Sequence, residues 1–202
     1  MNWTRMTRPL AAAAIAGALL SGCASDAQKI SAIEAVNNGF RIHYERILAE
    51  QGTRRVALPR AEALQAMRVA LARLGLHTEA QDIGLGVLVS AGPAPRPLDD
   101  AQWAQAAAAD VPLLRQLIEP HVGLASQLVG FEPQGLEVVI TTSAVAQGAG
   151  SEVSLTVRLR ETAPPRSGWP RREYLAPNAL QAGLARIWSA YEQEVRASLT
   201  RP

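Results

Sequence analysis

The sequence predicts an α+β fold, an antiparallel sheet with helices packed on one face, in the element order β-α-β-β-α-β-β-α. A strand pair is the first observation: residues 136–142 are rich in β-branched side chains, and residues 153–159 alternate apolar with polar. A glycine-bearing turn over 147–151 joins them as a hairpin. The second observation is a pair of helical stripes, over 59–74 and 177–195, whose apolar side chains recur at helical spacing. Because helices separate consecutive strand pairs, we expect an antiparallel sheet that helices cover on one side only.

The chain ahead of the first predicted helix divides into a tether and a strand. Residues 24–39 are small and polar, with a few apolar side chains along one side, which predicts a tether with some helical tendency. Residues 40–45 alternate apolar with polar and predict a first strand or an extended lead-in. A short strand follows over 54–58, and Pro59 begins the first helix, which Gly75 ends.

A second hairpin is predicted between the first two helices. Its strands are the short runs 76–80 and 85–91 on either side of a glycine-bearing turn. The stretch Gly84-Leu85-Gly86 could also suggest a phosphate-binding loop. Such a loop would open a helix with a third glycine or a Lys-Ser/Thr pair, and neither is present. The pattern therefore favours a hairpin turn.

The middle helix is predicted from its cap and is expected to be broken by its prolines. Asp99 or Asp100 caps its start. The same two carboxylates could form an acid–base pair, but their position directly before a helical pattern favours capping. We expect Pro112 to kink or restart the helix and Pro120 to stop it, so that residues 121–134 form a loop.

The first 23 residues carry the pattern of a secretory signal. Arg5 and Arg8 form a short basic region, and the apolar run 10–20 is about half the ~20 residues that a membrane-spanning helix needs. The run ends in Leu20-Ser21-Gly22-Cys23. This segment resembles the lipobox of bacterial lipoprotein precursors. The resemblance implies cleavage before Cys23, a diacylglyceryl thioether on its thiol and acylation of its new amino group.

The resemblance also implies a domain organisation and a location. Residues 1–22 would be the lipoprotein signal peptide, residues 23–39 the lipidated N-terminus and tether, and residues 40–202 a single α+β domain. With two or more acyl chains, attachment to the membrane would be effectively permanent. Ala24 and Ser25 replace the aspartate that keeps some lipoproteins in the inner membrane. The family's sorting habit therefore implies the outer membrane, with the domain facing the periplasm.

The predicted order of elements has one further likeness. It is similar to that of the helix-grip domains in the lipoprotein subunit of the β-barrel assembly machinery. The similarity rests on element order and the lipobox alone, with no shared motif, so we transfer no function from it.

The charge balance argues against nucleic acid as a partner. The whole chain has a formal charge of +2, but Arg5 and Arg8 leave with the signal peptide, which reduces the 20 basic residues to 18 against 18 acidic ones. A nearly neutral mature chain lacks the basic footprint that binds a phosphate backbone. Aromatic residues make up 4% of the chain, which disfavours stacking surfaces for sugars or single strands.

Few residues offer catalytic or cofactor chemistry. Cys23 is the single cysteine, so its acylation leaves no thiol for a disulfide, a metal or a nucleophile. His43, His77 and His121 are far apart in sequence and form no metal-binding pair at i and i+4. No serine occupies a Gly-x-Ser-x-Gly turn. We therefore predict no catalytic residue, no metal site and no cofactor.

One segment, residues 162–176, concentrates positive charge around an aromatic side chain. We call it the arginine loop, and its candidate contact residues are Arg166, Trp169, Arg171 and Arg172. They could contact phosphate head groups, an anionic glycan or an acidic protein patch. Alternatively, the loop is a solvated connector whose Trp169 packs against the edge of the sheet, and this second interpretation is the favoured one.

Two functions from different classes fit these observations. The first is a non-catalytic, lipid-anchored envelope lipoprotein that binds or scaffolds another envelope component through its sheet or its arginine loop. The second is a lipid-anchored periplasmic enzyme of unrecognised type. The lack of a clustered Cys, His or carboxylate signature favours the first, whereas a pocket of titratable residues with shifted pKa values would favour the second.

Overall fold

The structure, a computed structural model, describes residues 24–164, 167–170, 172–173 and 175–200. It contains four α-helices, five strands and a 3-10 helix within these ranges. In chain order they are α1 Asp26–Gln51, β1 Thr53–Val56, α2 Arg60–Arg73, β2 His77–Asp82, β3 Val87–Pro93, α3 Asp100–Val122, the 3-10 helix Gly123–Leu128, β4 Leu136–Gln147, β5 Gly150–Glu161 and α4 Pro177–Leu199.

The five strands form one antiparallel sheet in the order β1-β5-β4-β3-β2, which confirms the α+β prediction and both hairpins. The turns 83–86 and 148–149 lie side by side, because β3 and β4 pair in register beside them. We call this the hairpin end of the sheet. The opposite end, which carries Pro93, Leu136 and Glu161, is the loop end.

The sheet has one covered and one open face, as the alternation of its central strands requires. Alternate side chains of β4 and β5, such as Ile140 and Leu155, are buried against the helices. Helix α2 packs over β2 to β5, and α4 packs beside α2 and against β5. Each fully buried aliphatic side chain contributes about 1.5–3 kcal/mol, so this face supplies much of the stability. Helices α1 and α3 pack against each other and against α4.

Helix α1 occupies the segment that the sequence predicts as a tether. Ser25 and Gln28 form a capping box at its start, in which Ser25 Oγ accepts from Gln28 N at 3.3 Å and Gln28 Oε1 accepts from Ser25 N at 2.8 Å. Ala32 is buried in the core. The predicted boundary between a tether over 23–39 and a domain over 40–202 therefore falls inside a helix, and the residues from Asp26 onwards belong to the domain.

The strand predicted over residues 40–45 is wrong, because the same residues form the middle of α1. Phe40, Tyr44 and Ile47 are buried at i, i+4 and i+7, whereas Ile42 is 72% exposed. A period-two pattern would have buried Ile42 together with Phe40 and Tyr44. The predicted element order therefore lacks one helix at its beginning, and it agrees with the structure from β1 onwards.

Two carboxylates, the exposed Asp99 and the buried Asp110, cap helix starts. Asp99 forms a capping box with Gln102, accepting from Gln102 N at 2.8 Å, which confirms Asp99 as the cap of α3. Asp110 is only 1% exposed and accepts from Asn178 N at 3.0 Å, Asn178 Nδ2 at 2.7 Å and Ala179 N at 3.1 Å. It thereby satisfies the orphan donors at the start of α4 from a neighbouring helix. Helices α3 and α4 are locked together at this point.

Helix α3 continues through Pro112 and Pro120, so it neither restarts at Pro112, one of the two outcomes predicted there, nor stops at Pro120. A proline inside a helix removes a hydrogen bond and costs about 3 kcal/mol. Leu114 and Ile118 are buried beyond Pro112, and this burial offsets the cost. The segment 121–134, predicted as a loop, contains the end of α3 and the 3-10 helix.

Candidate functional site

The predicted lipidation site lies just ahead of a rigid helix. Cys23 and the rest of Leu20-Ser21-Gly22-Cys23 fall outside the described residues. Only Ala24 separates Cys23 from Ser25, the N-cap of α1. Two residues of extended chain span about 7 Å. A group attached to Cys23 would therefore be held within about that distance of the first turn of α1.

Helix α1 runs from the loop end of the sheet toward the hairpin end. Near its middle, Asn37 Oδ1 accepts from Glu173 N at 2.9 Å, and Arg41 pairs with the Glu173 carboxylate at 3.2 Å, just ahead of α4. At its C-terminus, Gln51 O accepts from Trp188 Nε1 at 2.8 Å, in the middle of α4. Eleven residues of α1 precede Asn37 and span about 16 Å. Ala32, within this stretch, is buried in the core, and α1 packs against α3.

Helix α3 runs antiparallel to α1. Tyr44 of α1 and Asp110 of α3 both lie at the start of α4. Leu117, further along α3 than Asp110, contacts Gly39, which lies closer to the start of α1 than Tyr44. A β-carbon at Gly39 would clash with the Leu117 side chain as it is placed. The last turn of α3 therefore lies level with roughly residues 34–36 of α1. The 3-10 helix then turns back along α3, where Arg115 Nε donates to Val129 O at 3.4 Å.

The arginine loop is tied to the fold at the residues that the structure describes. Arg172 pairs with Glu161, at the end of β5, at 2.5 Å, and Glu173 contacts α1 as described above. Trp169 is partly buried. Arg166 and Arg171 lie outside the described residues. The structure therefore places two of the four predicted contact residues and shows one of them, Arg172, in an ion pair within the chain.

A small apolar cavity lies beneath the arginine loop. Its volume is about 20 Å³, enough for roughly one water molecule. Tyr44, Trp103 and Leu180 contribute to its walls. Burial raises the pKa of the Tyr44 hydroxyl, and the nearby Arg158 guanidinium partly opposes this rise. The cavity is too small for an organic substrate, which typically needs several hundred Å³.

The open face of the sheet presents short side chains between charged ends. Its centre consists of β-branched and small residues from three strands, Val87, Val89, Val139, Thr141, Ser143, Ser154 and Thr156. At the hairpin end, Arg55 pairs with Glu152 at 3.2 Å. At the loop end, Arg160 pairs with Glu137 at 2.7 Å and with Glu79 at 3.2 Å. The centre of this face is mixed in polarity and offers contact area. At the hairpin end, a shallow open cavity of about 350 Å³ is lined by residues that include Arg55, Val56 and Gly150.

Exposed apolar side chains are found in two places. Leu124 and Leu128 of the 3-10 helix, which packs along α3, are 88% and 65% exposed. Ile83, Leu85 and Val145 are more than half exposed at the hairpin end. The sequence analysis missed both groups, because it assigned Leu124 and Leu128 to a loop and Leu85 to a strand. Leucines inside glycine-bounded polar segments were the available signal, since loop residues are usually polar.

The described residues bring no catalytic constellation together. His43 lies on α1 beside Arg46, His77 on the edge strand β2, and His121 at the end of α3. No group of three or more His, Cys, Asp or Glu side chains in the described ranges is arranged to hold a metal ion. None of the helices described here is both long and apolar enough to cross a membrane.

Comparison with known proteins adds no relative. No protein-family model, no curated protein and no solved structure matches this chain.

Proposed function

We propose that the chain is the precursor of a non-catalytic envelope lipoprotein, anchored through Cys23 in the outer membrane and facing the periplasm, where it binds or scaffolds another envelope component. One observation of the structure supports the role of the anchor. Helix α1 starts at Asp26 and is packed into the core from Ala32 onwards. Lipid at Cys23 would therefore fix the position of the whole domain and not only the end of a flexible tail.

Anchoring at Cys23 gives the domain a defined direction. Helix α1 contains 26 residues and is about 39 Å long. Its start would lie at the membrane, and its C-terminus points toward the hairpin end of the sheet. The hairpin end and the adjoining part of the open face would be presented to the periplasm. This arrangement suits a protein that holds a binding surface at a fixed height above the bilayer.

The arginine loop is the proposed contact for an anionic envelope component. Replacing Arg166, Arg171 and Arg172 with Ser should weaken binding to isolated envelope fractions at low salt, because charged contacts are screened over roughly 8 Å at physiological ionic strength. High salt should remove the difference between the variant and the unchanged protein. Equal binding at low salt would leave the loop as a connector. A large fall in melting temperature would show that the arginines hold the fold, as the ion pair of Arg172 with Glu161 does in part.

The anchor is tested by Cys23→Ala. We expect this variant to leave the membrane fraction, or to retain its signal peptide, because the chain has no other thiol for acylation. Ala24→Ser is the matched control, since it changes the neighbouring residue and keeps the thiol. Mass spectrometry of the N-terminal peptide should show the acyl groups in the control and not in Cys23→Ala. Unchanged fractionation together with an unmodified N-terminus in the original chain would refute the proposal.

Localisation is tested separately on a density gradient. The original chain should sediment with outer-membrane markers. Ala24→Asp should move part of the protein to the inner membrane, because it places an aspartate directly after the lipidated cysteine, and Ser25→Asp, one residue further on, should do so too. A wild-type chain found only with inner-membrane markers would contradict the outer-membrane proposal and leave the anchor untouched.

A further inference from the structure

Arg172 of the arginine loop is paired with a carboxylate that the sheet holds in place. Its guanidinium lies 2.5 Å from the carboxylate of Glu161, the last residue of β5. Glu161 pairs in register with Leu136 of β4. Directly after it, Thr162 donates to Gly135 O through its N–H at 2.9 Å and through its hydroxyl at 3.1 Å. The backbone of Glu161 is therefore fixed on both sides.

The chain next to Arg172 is fixed as well. Glu173 N donates to Asn37 Oδ1 at 2.9 Å, and the Glu173 carboxylate pairs with Arg41 of α1 at 3.2 Å. Both members of the Arg172–Glu161 pair are thus held close together by the fold. Groups held in this way pair more readily than either would with a dilute ion in solution.

The two side chains of this pair differ in exposure. The Arg172 side chain is 49% exposed, whereas that of Glu161 is 16% exposed. An anion from solution can therefore reach the guanidinium, and the carboxylate that neutralises it is largely covered. A guanidinium binds carboxylates and phosphates through the same planar fork of N–H donors. Glu161 and an external anion therefore use the same donors of Arg172.

We infer that Glu161 is an internal competitor of the anionic partner: it occupies Arg172 when the partner is absent, and the partner binds by displacing it. This inference rests on the proposed role of the arginine loop and adds a regulation of that site. Competition lowers the affinity of the loop for every anion. A partner that presents several negative charges together is then favoured over one that presents a single charge.

Glu161→Gln tests the competition, because it removes the charge and keeps the size of the side chain. We expect this variant of the full chain to bind isolated envelope fractions severalfold more tightly than the original protein at low salt. The gain should disappear at high salt and when Arg172→Ser is added. Glu152→Gln is the matched control, since it removes the same charge and releases Arg55 from an ion pair at the hairpin end. It should leave binding unchanged.

Arginine modification by phenylglyoxal, mapped by mass spectrometry, measures the occupancy of Arg172 without any partner. Arg172 should react severalfold faster in Glu161→Gln than in the original protein, whereas Arg55 should react equally in both. If Glu161→Gln does not fold, as its melting curve would show, Glu161→Asp replaces it. That variant withdraws the same charge by one methylene group, so a smaller gain in the same direction is expected.

Two results would overturn the inference and leave the proposed function standing. One is an equal rate of Arg172 modification with and without the Glu161 charge. The other is a Glu161 variant that binds no more tightly than the original protein, although loss of the three loop arginines weakens binding. Equal binding by the original protein and by the triple arginine variant would instead overturn the role of the loop, and this inference with it.

Discussion

The two faces of the sheet are built from neighbouring residues of the same strands and differ in what covers them. On the covered face, Val157 and most of its neighbours on β4 and β5 are aliphatic and pack under α2 and α4, with Thr142 and Ser151 buried among them. On the open face, Thr156 is exposed, and the charged residues are grouped into ion pairs at the two ends. The difference shows how a strand pair can supply a core and a water-compatible contact surface at once, through alternation alone.

The largest effect should come from charge placed on the covered face. Val157→Asp and Leu184→Asp each bury an unpaired carboxylate, which costs more than about 4 kcal/mol and should leave the domain unfolded. Thr156→Asp, one residue from Val157 but on the open face, should retain a cooperative transition. Circular dichroism with urea unfolding measures all three. Equal losses in all three variants would show that the two faces are not distinct.

The next effect concerns the helices above the covered face. Asp110→Ala removes the acceptor of three hydrogen bonds at the start of α4 and leaves the buried N–H of Ala179 without this acceptor. We expect a loss of about 2–4 kcal/mol in the free energy of unfolding. Asp110→Asn keeps one carbonyl oxygen and should lose less. If both variants are as stable as the original protein, the cap does not hold α3 to α4.

A smaller effect on the free energy of unfolding, which depends on pH, should come from the buried hydroxyl of Tyr191 on α4. Tyr191 is fully buried, its hydroxyl has no hydrogen-bond partner among the described residues, and burial raises the pKa of Tyr191 above its ordinary value of 10.0. Above that value the unfolded chain releases a proton that the folded protein retains. The stability contributed by Tyr191 is therefore full below about pH 10 and is lost as the pH rises toward the folded-state pKa.

Tyr191→Phe should therefore be nearly neutral at about pH 8, since no hydrogen bond is lost. Between about pH 8 and about pH 11 the original protein should lose roughly 1 kcal/mol more stability than the variant. Urea titrations at the two pH values measure this difference. Parallel losses in both proteins would mean that Tyr191 ionises as freely in the folded state as in the unfolded chain.

The smallest effect is expected on the open face itself. Replacing Arg55 and Glu152 with Ser removes an exposed ion pair of the kind that contributes about 0–1 kcal/mol. The melting temperature should change by no more than a few degrees. A loss comparable with that of Asp110→Ala would show that the open face is structural and would weaken its role as a contact surface.

The sequence predicts these faces well, because alternation over long strands is a strong local signal. It fails at α1, where six alternating residues match a strand, and only the burial of Phe40 and Tyr44 together with the exposure of Ile42 shows the helical period. It also fails at Pro112, because packing of Leu114 and Ile118 overrides a local helix breaker. Of the candidate site, composition indicates the arginine loop. The exposure of Leu124 and Leu128 follows from how the 3-10 helix packs along α3, which no local pattern shows.

The early start of α1 also limits where a partner can be met. A flexible tether over residues 23–39 would have let the domain move by roughly 20–25 Å from its attachment point. Because α1 starts at Asp26, only Ala24 and Ser25 separate Cys23 from the helix. If Cys23 is acylated, the protein would search a thin layer next to the bilayer, no deeper than its own length. Any partner would then be a component that reaches this layer. A higher density of the protein on the membrane would raise its rate of encounter with that partner more than a longer chain could.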